Sequence, residues 1–379
     1  MIAMSKSKIC FVSPHLYPII SSSTEIPFAG GAEVQQSMIA EGLLGLGYQV
    51  SAVTLDYGQE DGCNINGVRV FKAYRPHAGI RGIRFFYPRL TGIWRALHNA
   101  DADIYYQRTA GMLTGVVAKY CSIHGRKFIY AGAHDQDFIT GSHGIRFRRD
   151  KLLYEWGLRH AHRVVVQNET QKKSLKKNFG VDGTLLHNIG AGSNNRARWE
   201  ERKVGWVGMM RRWKKPSRFI ELAKKCPEFE FLMVGGPGEN KDEHDLYSNV
   251  RNEAADLDNL VLTGHILYRE ISDTLNTLSI LINTSDCEGF PNTFLEAWAR
   301  GIPTVSYISV DLGTERATPG IVVKDSRELI DTVYKLMSDK VTWEKESSRS
   351  LELFNQYFRF SGVAEEYRNL FDSLIKNNQ

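Results

Sequence analysis

The chain predicts an α/β protein of two doubly wound domains, each a parallel sheet covered by helices. Three observations carry this. Short apolar runs of strand length alternate with helical periodicity along the whole sequence, which is the pattern of repeated strand–helix units. That rhythm breaks at one small, polar, aperiodic stretch, GAGSNNRARWEE at 190–201, and then restarts. A length of 379 residues also exceeds what one ordinary core takes up, so two domains are expected.

In the first half the expected strands are Ile9–Val12, Gln49–Thr54, Val68–Ala73, Ile104–Gln107, Lys127–Ala131 and Arg163–Gln167. Between them helical patterns cover Glu33–Leu46, Gly111–His124, Lys151–Ala161 and Glu169–Lys177. The stretch from Ser21 to Gly31 has no period and many turn formers, so it reads as a loop. The second half repeats the scheme. Strands are expected at Val204–Gly208, Phe229–Val234, Leu260–Thr263, Ile280–Asn283 and Thr304–Tyr307. Helices are expected at Pro216–Lys225, Asp242–Ala255, Tyr268–Leu275 and Asn292–Arg300, and again after Ser326. The boundaries that follow are a first domain over 1–190, a linker over 191–202 and a second domain over 203–360. A last helix over 361–379 is available to pack back on the first domain. Ligands of such folds bind at the carboxyl ends of the strands and in the cleft between domains.

Bulk properties narrow the function classes. An apolar fraction of 42% and a charged fraction of 24% are those of a globular chain with a sizeable core. No apolar run reaches the roughly 18 residues that cross a bilayer. The first residues, MIAMSKSKICFVSPH, carry lysines where a signal peptide needs an unbroken apolar stretch. Cysteines stand at 10, 63, 121, 226 and 287, with no metal-type or redox-type spacing, so reduced thiols and a cytoplasmic location are expected. Residues 1–200 hold 25 Lys+Arg against 15 Asp+Glu, and the rest 23 against 28. A basic first half suits a nucleic acid, an anionic membrane surface or a phosphorylated substrate, and equally ordinary solvated faces. No nucleic-acid motif accompanies it, so no nucleic-acid partner is expected. Asp101 and Asp103 precede a strand instead of following one, so no carboxylate pair is placed to hold a divalent metal.

The most informative segment is TSDCEGFPNTFLEAWARGIPTVS, residues 284–306, between two buried strands. Glu288 and Glu296 are separated by seven residues, and Pro291 sits where a helix start tolerates proline. A helix beginning near Asn292 turns the backbone donors of Gly289, Phe290, Asn292 and Thr293 toward a ligand. Gly289 permits close approach. Glu296, one turn in, suits a pair of ribose hydroxyls, and Glu288 on the loop suits sugar hydroxyls. A capped amphipathic helix with glutamates near its positive end is the structural alternative.

The run EGFPNTFLEAWARGIPTVS resembles the E-x(7)-E signature of family 4 of the retaining glycosyltransferases, which have the GT-B fold of two Rossmann-like domains facing a central cleft. Four further segments resemble that family in the right order. They are GGAEV at Gly30–Val34, AHD at Ala133–Asp135, VVVQNETQKKSLKKNFG, and VGWVGMMRRWKKPSRFIELA. The resemblance implies a nucleotide-sugar donor held by the second domain and an acceptor held by the first. It assigns Glu296 to the nucleotide ribose, and Glu288, Gly289, Phe290 and Pro291 to the donor sugar. Gly30 and Gly31, at a helix start, would let backbone donors reach a phosphate. His134, after the strand FIYAGA, would contact the sugar near the reacting centre, with Glu288 as its catalytic counterpart. A core histidine satisfied by backbone is the alternative reading. Asp135 or Asp137 would serve as base only in an inverting enzyme.

The leaving nucleoside diphosphate gains charge as the bond breaks, and fixed cations stabilise it. Lys214 falls on the family's lysine. Met209 replaces the family's arginine, so Arg211 or Arg212 must supply the second cation, with Arg211 preferred. These cations make a metal unnecessary, so the expectation is no cofactor, with the nucleotide sugar as co-substrate. The acceptor is expected to be a glycan or a lipid-linked molecule. GIRGIRFFYPRLTGIWRALH at 79–98 interleaves arginines with aromatics, which suits peripheral contact with an anionic inner membrane face or a basic solvated helix. Two other functions share the fold, a sugar-nucleotide epimerase and a non-catalytic nucleotide-sugar-binding subunit. The epimerase lacks the glutamate signature. The Met209 departure suits the subunit.

Overall fold

A computed structural model describes residues 7–22, 30–80, 82–141, 144–238, 240–312 and 320–376. The chain divides into two compact units, Met1–Ile189 together with Phe360–Gln379, and Gly190–Arg359. Strands of the first unit are β1 (Lys8–Val12), β2 (Gln49–Thr54), β3 (Cys63–Ile65), β4 (Val68–Lys72), β5 (Ile104–Arg108), β6 (Lys127–Ala131), β7 (Arg163–Val166) and β8 (Gly183–Leu185). The second has β9 (Lys203–Val207), β10 (Glu230–Val234), β11 (Leu260–Gly264), β12 (Ile280–Asn283), β13 (Thr304–Ser306) and β14 (Ile321–Val322). Helices of the first unit begin with α1 (Tyr17–Ile20), α2 (Gly31–Gly45), α3 (Thr91–Ala100), α4 (Met112–His124), α5 (Arg148–Arg159) and α6 (Glu169–Phe179). Those of the second are α7 (Pro216–Lys225), α8 (Lys241–Ala255), α9 (Tyr268–Leu275), α10 (Asn292–Trp298), α11 (Ser326–Ser338) and α12 (Lys340–Tyr357). Helix α13 (Phe360–Lys376) belongs to the first unit, where it packs on α2.

Among the described residues the first sheet has the order β3-β4-β2-β1-β5-β6-β7-β8, parallel except for the edge pair β3–β4. Successive residues of its strands enter opposite cores because side chains alternate across a sheet. Cys10 and Val12 pack with α3 and α4, whereas Ile9 and Phe11 pack with α2 and α13. Burial on both faces explains the continuous apolar runs. The edge strand β3 was not anticipated. It turns back through Asn66 and Gly67, both at positive φ (50° and 90°), a two-residue hairpin for which Asn-Gly is suited.

The second sheet is parallel, with the order β11-β10-β9-β12-β13-β14. Its cores lie on the two faces, one with Phe219, Phe231 and Val333, the other with Phe294, Trp298 and Phe358. The segment 191–202 is anchored to this unit: Trp199 donates Nε1–H to Leu336 O at 3.0 Å, and Ser279 Oγ donates to Arg198 O at 2.9 Å. Each sheet reverses its direction of growth once. In the first unit this happens between β1 and β5, in the second between β9 and β12. Such switch points open a crevice at the carboxyl ends of the strands.

Candidate active site

Strands β9 and β12 lie side by side at the switch point of the second unit, so the loops that leave them share one crevice. Side chains join those loops. Thr284 Oγ1 accepts the indole N–H of Trp206 at 2.9 Å and donates to Lys214 O at 2.6 Å. Asp286 N donates to Trp213 O at 2.8 Å, and Arg218 donates to Thr284 O at 2.9 Å while pairing with Asp286 at 2.8 Å. The result is close approach of two residues 74 positions apart. Lys214 Nζ lies 2.5 Å from Glu288 Oε1, and Ser285 Oγ donates to the same oxygen at 2.8 Å. The side chains of Lys214 and Glu288 are 20% and 13% exposed. A pair so placed is held by attraction in a medium poorer than water, yet remains reachable from solvent. Ser285 and Thr284 were not singled out from sequence. Their signal was the run Thr-Ser-Asp directly after a buried strand.

Helix α10 begins at Asn292, with Pro291 preceding it at φ −64° and ψ 119°. Phe294, Leu295, Ala297 and Trp298 are buried, and Asn292, Thr293 and Glu296 lie together on the half-buried face. The spacing of one helical turn puts Glu296 above Asn292 and Thr293. Gly289, Phe290 and Pro291, which follow Glu288 in the same loop, are buried. The helix ends at Trp298, two residues short of expectation, because Gly301 takes the left-handed region at φ +72° and Ile302 N donates back to Ala297 O at 2.9 Å. Just past that end, Arg300 is drawn inward. Its guanidinium donates to Glu296 O at 2.7 Å, Ser272 Oγ at 2.6 Å and Asn276 Oδ1 at 2.9 Å, tying α10 to α9.

Arg211 is engaged elsewhere. Its Nε lies 3.8 Å from Glu243 Oε1 and 3.2 Å from Met209 Sδ, and the guanidinium lies over the Trp213 ring at 5.0 Å. Of the two cations read for the diphosphate, Lys214 is the one paired with Glu288. Arg212, the other arginine considered, makes an exposed pair with Asp242 at 3.7 Å. A glycine-rich turn missed in the sequence lines the same side. Gly208 N donates to Val234 O and Met210 N to Gly236 O, each at 2.9 Å, so the loop after β9 runs along Gly235–Gly238. Gly235 has φ +152°, and a Cβ there would stand 1.8 Å from Gly208 O. Two glycines and Pro-Gly after a strand were the legible signal.

In the first unit Gly30 caps α2 at φ −80° and ψ 149°, and Gly31 opens it. The Glu33 carboxylate folds over this start, for a Cβ on Gly30 would lie 2.1 Å from Glu33 Oε2. The rest of the loop expected over Ser21–Gly31, residues 23–29, lies outside the described residues. His134 follows β6 and caps the 3-10 turn Asp135–Phe138, its Nδ1 accepting Gln136 N–H at 3.1 Å. That bond leaves the proton of the neutral ring on Nε2, so the half-buried ring offers a donor. Asp137 is buried and accepts from Ala133 N at 2.7 Å and His134 N at 3.1 Å. Burial pushes its carboxyl above the usual range, with the backbone donors acting against that. Asp135 accepts from Gln171 Nε2 at 2.9 Å and Asn168 Nδ2 at 3.2 Å. Both aspartates shape the turn that holds His134.

A cavity of about 290 Å³ opens at the switch point of this same unit. Ser13 and His15 after β1, Thr54 at the end of β2, Tyr74 after β4, and Gln107 and Met112 around the end of β5 line it. Sequence reading did not find it, since no motif marks its walls. Among the described residues no group of three or more His, Cys, Asp and Glu is placed to hold a metal ion, and no helix is long and apolar enough to cross a membrane.

Two family models match the chain, Glycosyltransferase Family 4 over residues 29–192 and Glycosyl transferases group 1 over residues 201–339. The chain belongs to this glycosyltransferase family, with the two α/β parallel-sheet domains of the GT-B fold. A curated relative is mannosylfructose-phosphate synthase from Agrobacterium fabrum, 22% identical over 171 residues, which are 41% of this chain and 35% of that protein. The match thus spans about a third of the relative's length. Among solved structures, sucrose-phosphate synthase from Thermosynechococcus elongatus superposes with a TM-score of 0.76 at 15% identity, covering 98% of this chain and 100% of that one. HepE from Anabaena, in complex with UDP and glucose, gives 0.72 at 18% identity over 97% and 100%.

Proposed function

We propose that this glycosyltransferase moves a sugar, with retention, from a nucleotide sugar to a hydroxyl of a glycan or lipid-linked acceptor in surface polysaccharide or glycoconjugate synthesis. The observation that carries the reading is the Lys214–Glu288 pair at the β9–β12 switch point, in the segment whose helix presents Glu296. A cation and two carboxylates suit the three parts of a nucleotide sugar. HepE has been solved with UDP and with UDP-glucose, which supports a uridine donor here, with guanosine the other candidate.

In this reading Glu296 accepts hydrogen bonds from the ribose hydroxyls, and Asn292 and Thr293 approach the diphosphate. Lys214 turns from Glu288 to the diphosphate as charge grows there. Glu288, steadied by Ser285, accepts from a sugar hydroxyl, and Gly289, Phe290 and Pro291 shape the wall beside it. The anomeric carbon–oxygen bond breaks with its electron pair leaving on the diphosphate. The acceptor oxygen bonds to the same face, and its proton passes to the departing phosphate oxygen. His134 Nε2–H donates to the donor sugar, and Gly30 and Gly31 offer backbone donors to phosphate. Lys214, with Arg211 released from Glu243, takes the charge that a divalent ion would otherwise carry, so chelators leave the rate unchanged. The enzyme works in the cytoplasm. The test is release of nucleoside diphosphate from a panel of nucleotide sugars on adding acceptor extract. Binding without turnover, indifferent to changing His134, would make the chain a non-catalytic subunit.

A further inference from the structure

Among the described residues, most of the large apolar side chains exposed on the first unit, Ile123 and Ile139 apart, lie in two segments. Ile80, Ile83, Phe86 and Tyr87 lie in one and Phe147 and Leu152 in the other, each between 55% and 73% exposed. The segments touch. The Arg149 guanidinium lies over the Phe85 ring at 3.6 Å, Phe85 and Phe86 meet edge to face at 5.1 Å, and Leu152 follows Arg149 by one turn of α5. Charge on this face is predominantly positive. No acidic residue occurs from Gly79 to His98, and from Gly144 to Leu152 the single carboxylate, Asp150, is paired with Arg149 at 2.7 Å against Arg146, Arg148 and Lys151 nearby. Apolar side chains this exposed are costly in water and so mark a contact surface. Arginines among aromatics, with Asp150 the one carboxylate among them in these two segments, match an anionic interface, into which rings insert while guanidinium groups stay with the headgroups.

We infer that Ile80, residues 82–90 and residues 146–152 together dock the first unit on an anionic lipid bilayer, and that its acceptor is membrane-anchored. Position supports the second clause. Arg89 at the inner edge of the patch lies over Tyr74 at 5.7 Å, and Tyr74 lines the 290 Å³ cavity. Helix α3, which continues from the patch, lines that cavity through Ile93, and α4, packed on α5, lines it through Met112 and Leu113. A docked surface would hold the cavity close to the headgroups, where a lipid-linked hydroxyl is concentrated. This rests on the proposed transfer reaction for the meaning of the cavity, but docking itself is independent of it.

The experiment is sedimentation of the full chain with vesicles of phosphatidylcholine alone and of phosphatidylcholine with phosphatidylglycerol, alongside the melting shift given by UDP in the same samples. Binding is expected to the anionic vesicles only, weakening as salt rises. Phe86→Ser and Leu152→Ser should each lower the vesicle partition constant roughly tenfold, the scale of one lost apolar insertion, and leave the UDP shift unchanged. Absent vesicle binding, equal binding to neutral vesicles, or self-association abolished by the same substitutions would overturn the inference. In each of those cases an intact UDP shift leaves the donor reading standing, whereas a lost shift with vesicle binding intact would remove the donor reading alone.

Discussion

Glu288→Gln separates the two tasks assigned to the loop after β12. Lys214 Nζ and Glu288 Oε1 stand 2.5 Å apart with both side chains largely covered. Gross attraction at that distance is about 7 kcal/mol for an effective dielectric of about 20. Desolvation and side-chain ordering cancel most of it, leaving a net coupling of about 1–2 kcal/mol for a partly exposed pair. A diphosphate that recruits Lys214 must overcome that coupling. Neutral glutamine removes the competitor while keeping the shape and the hydrogen bond from Ser285. Titration calorimetry with UDP should therefore show unchanged or tighter binding, by up to roughly fivefold to thirtyfold. Transfer should meanwhile fall at least a hundredfold, because the carboxylate for the sugar is gone. UDP affinity weakened more than tenfold in Glu288→Gln would refute the division of labour, since Glu288 would then be supporting the diphosphate.

The remaining expectations concern other parts of the two units. Glu296→Ala should weaken UDP by about 1–3 kcal/mol through two lost hydrogen bonds to the ribose, read by the same calorimetry; unaltered affinity would place the ribose elsewhere. Gly235→Ala forces a side chain at φ +152° against Gly208 O and should cost about 2–3 kcal/mol, seen as a fall of roughly 5–10 °C in melting temperature. A variant as stable as the parent would contradict the close approach of these loops. Burial, chiefly, holds the imidazoles of His162 and His187 below their usual 6.5. The unfolded chain then binds more protons below 6.5, so stability is full above that value and declines as pH falls toward the folded values. His162 also accepts Phe128 N–H through Nδ1 at 3.1 Å, a bond that protonation breaks. Melting temperature followed from neutral to acid pH should fall less steeply in His162→Gln than in the parent; identical profiles would exclude His162 as a contributor.

Much of this architecture was legible because parallel strands buried on both faces leave unmistakable apolar runs. Gln49–Thr54, Lys127–Ala131 and Ile280–Asn283 agree with expectation at both ends. What escaped notice was short or polar. Strand β3 is three residues of mixed character, though Asn66-Gly67 announced its hairpin, and β8 and β14 have no apolar period of their own. The helix after Pro291 ran two residues too long in the reading because the turn at Gly301 already ends it ahead of Arg300. The burial of Arg300 depends on Ser272 and Asn276, which no local pattern connects to it. The glutamates of the site were visible through their setting between two strands. Their partners were not, because Lys214 meets Glu288 only through the pairing of β9 with β12 and the Thr284 bridge. Arg211 shows the converse case. Sequence could count its charge but not its engagement with Glu243 and Trp213.

The loop and helix Glu288–Glu296 are proposed to hold a nucleotide sugar while its sugar is transferred. This is tested most directly by following nucleoside diphosphate release from the parent and from Glu288→Ala, with the nucleotide-sugar panel and acceptor extract. Acceptor-dependent release is expected with one donor, and a loss of about a hundredfold or more in the variant while its melting temperature stays within a few degrees. Full transfer by Glu288→Ala would contradict the proposal.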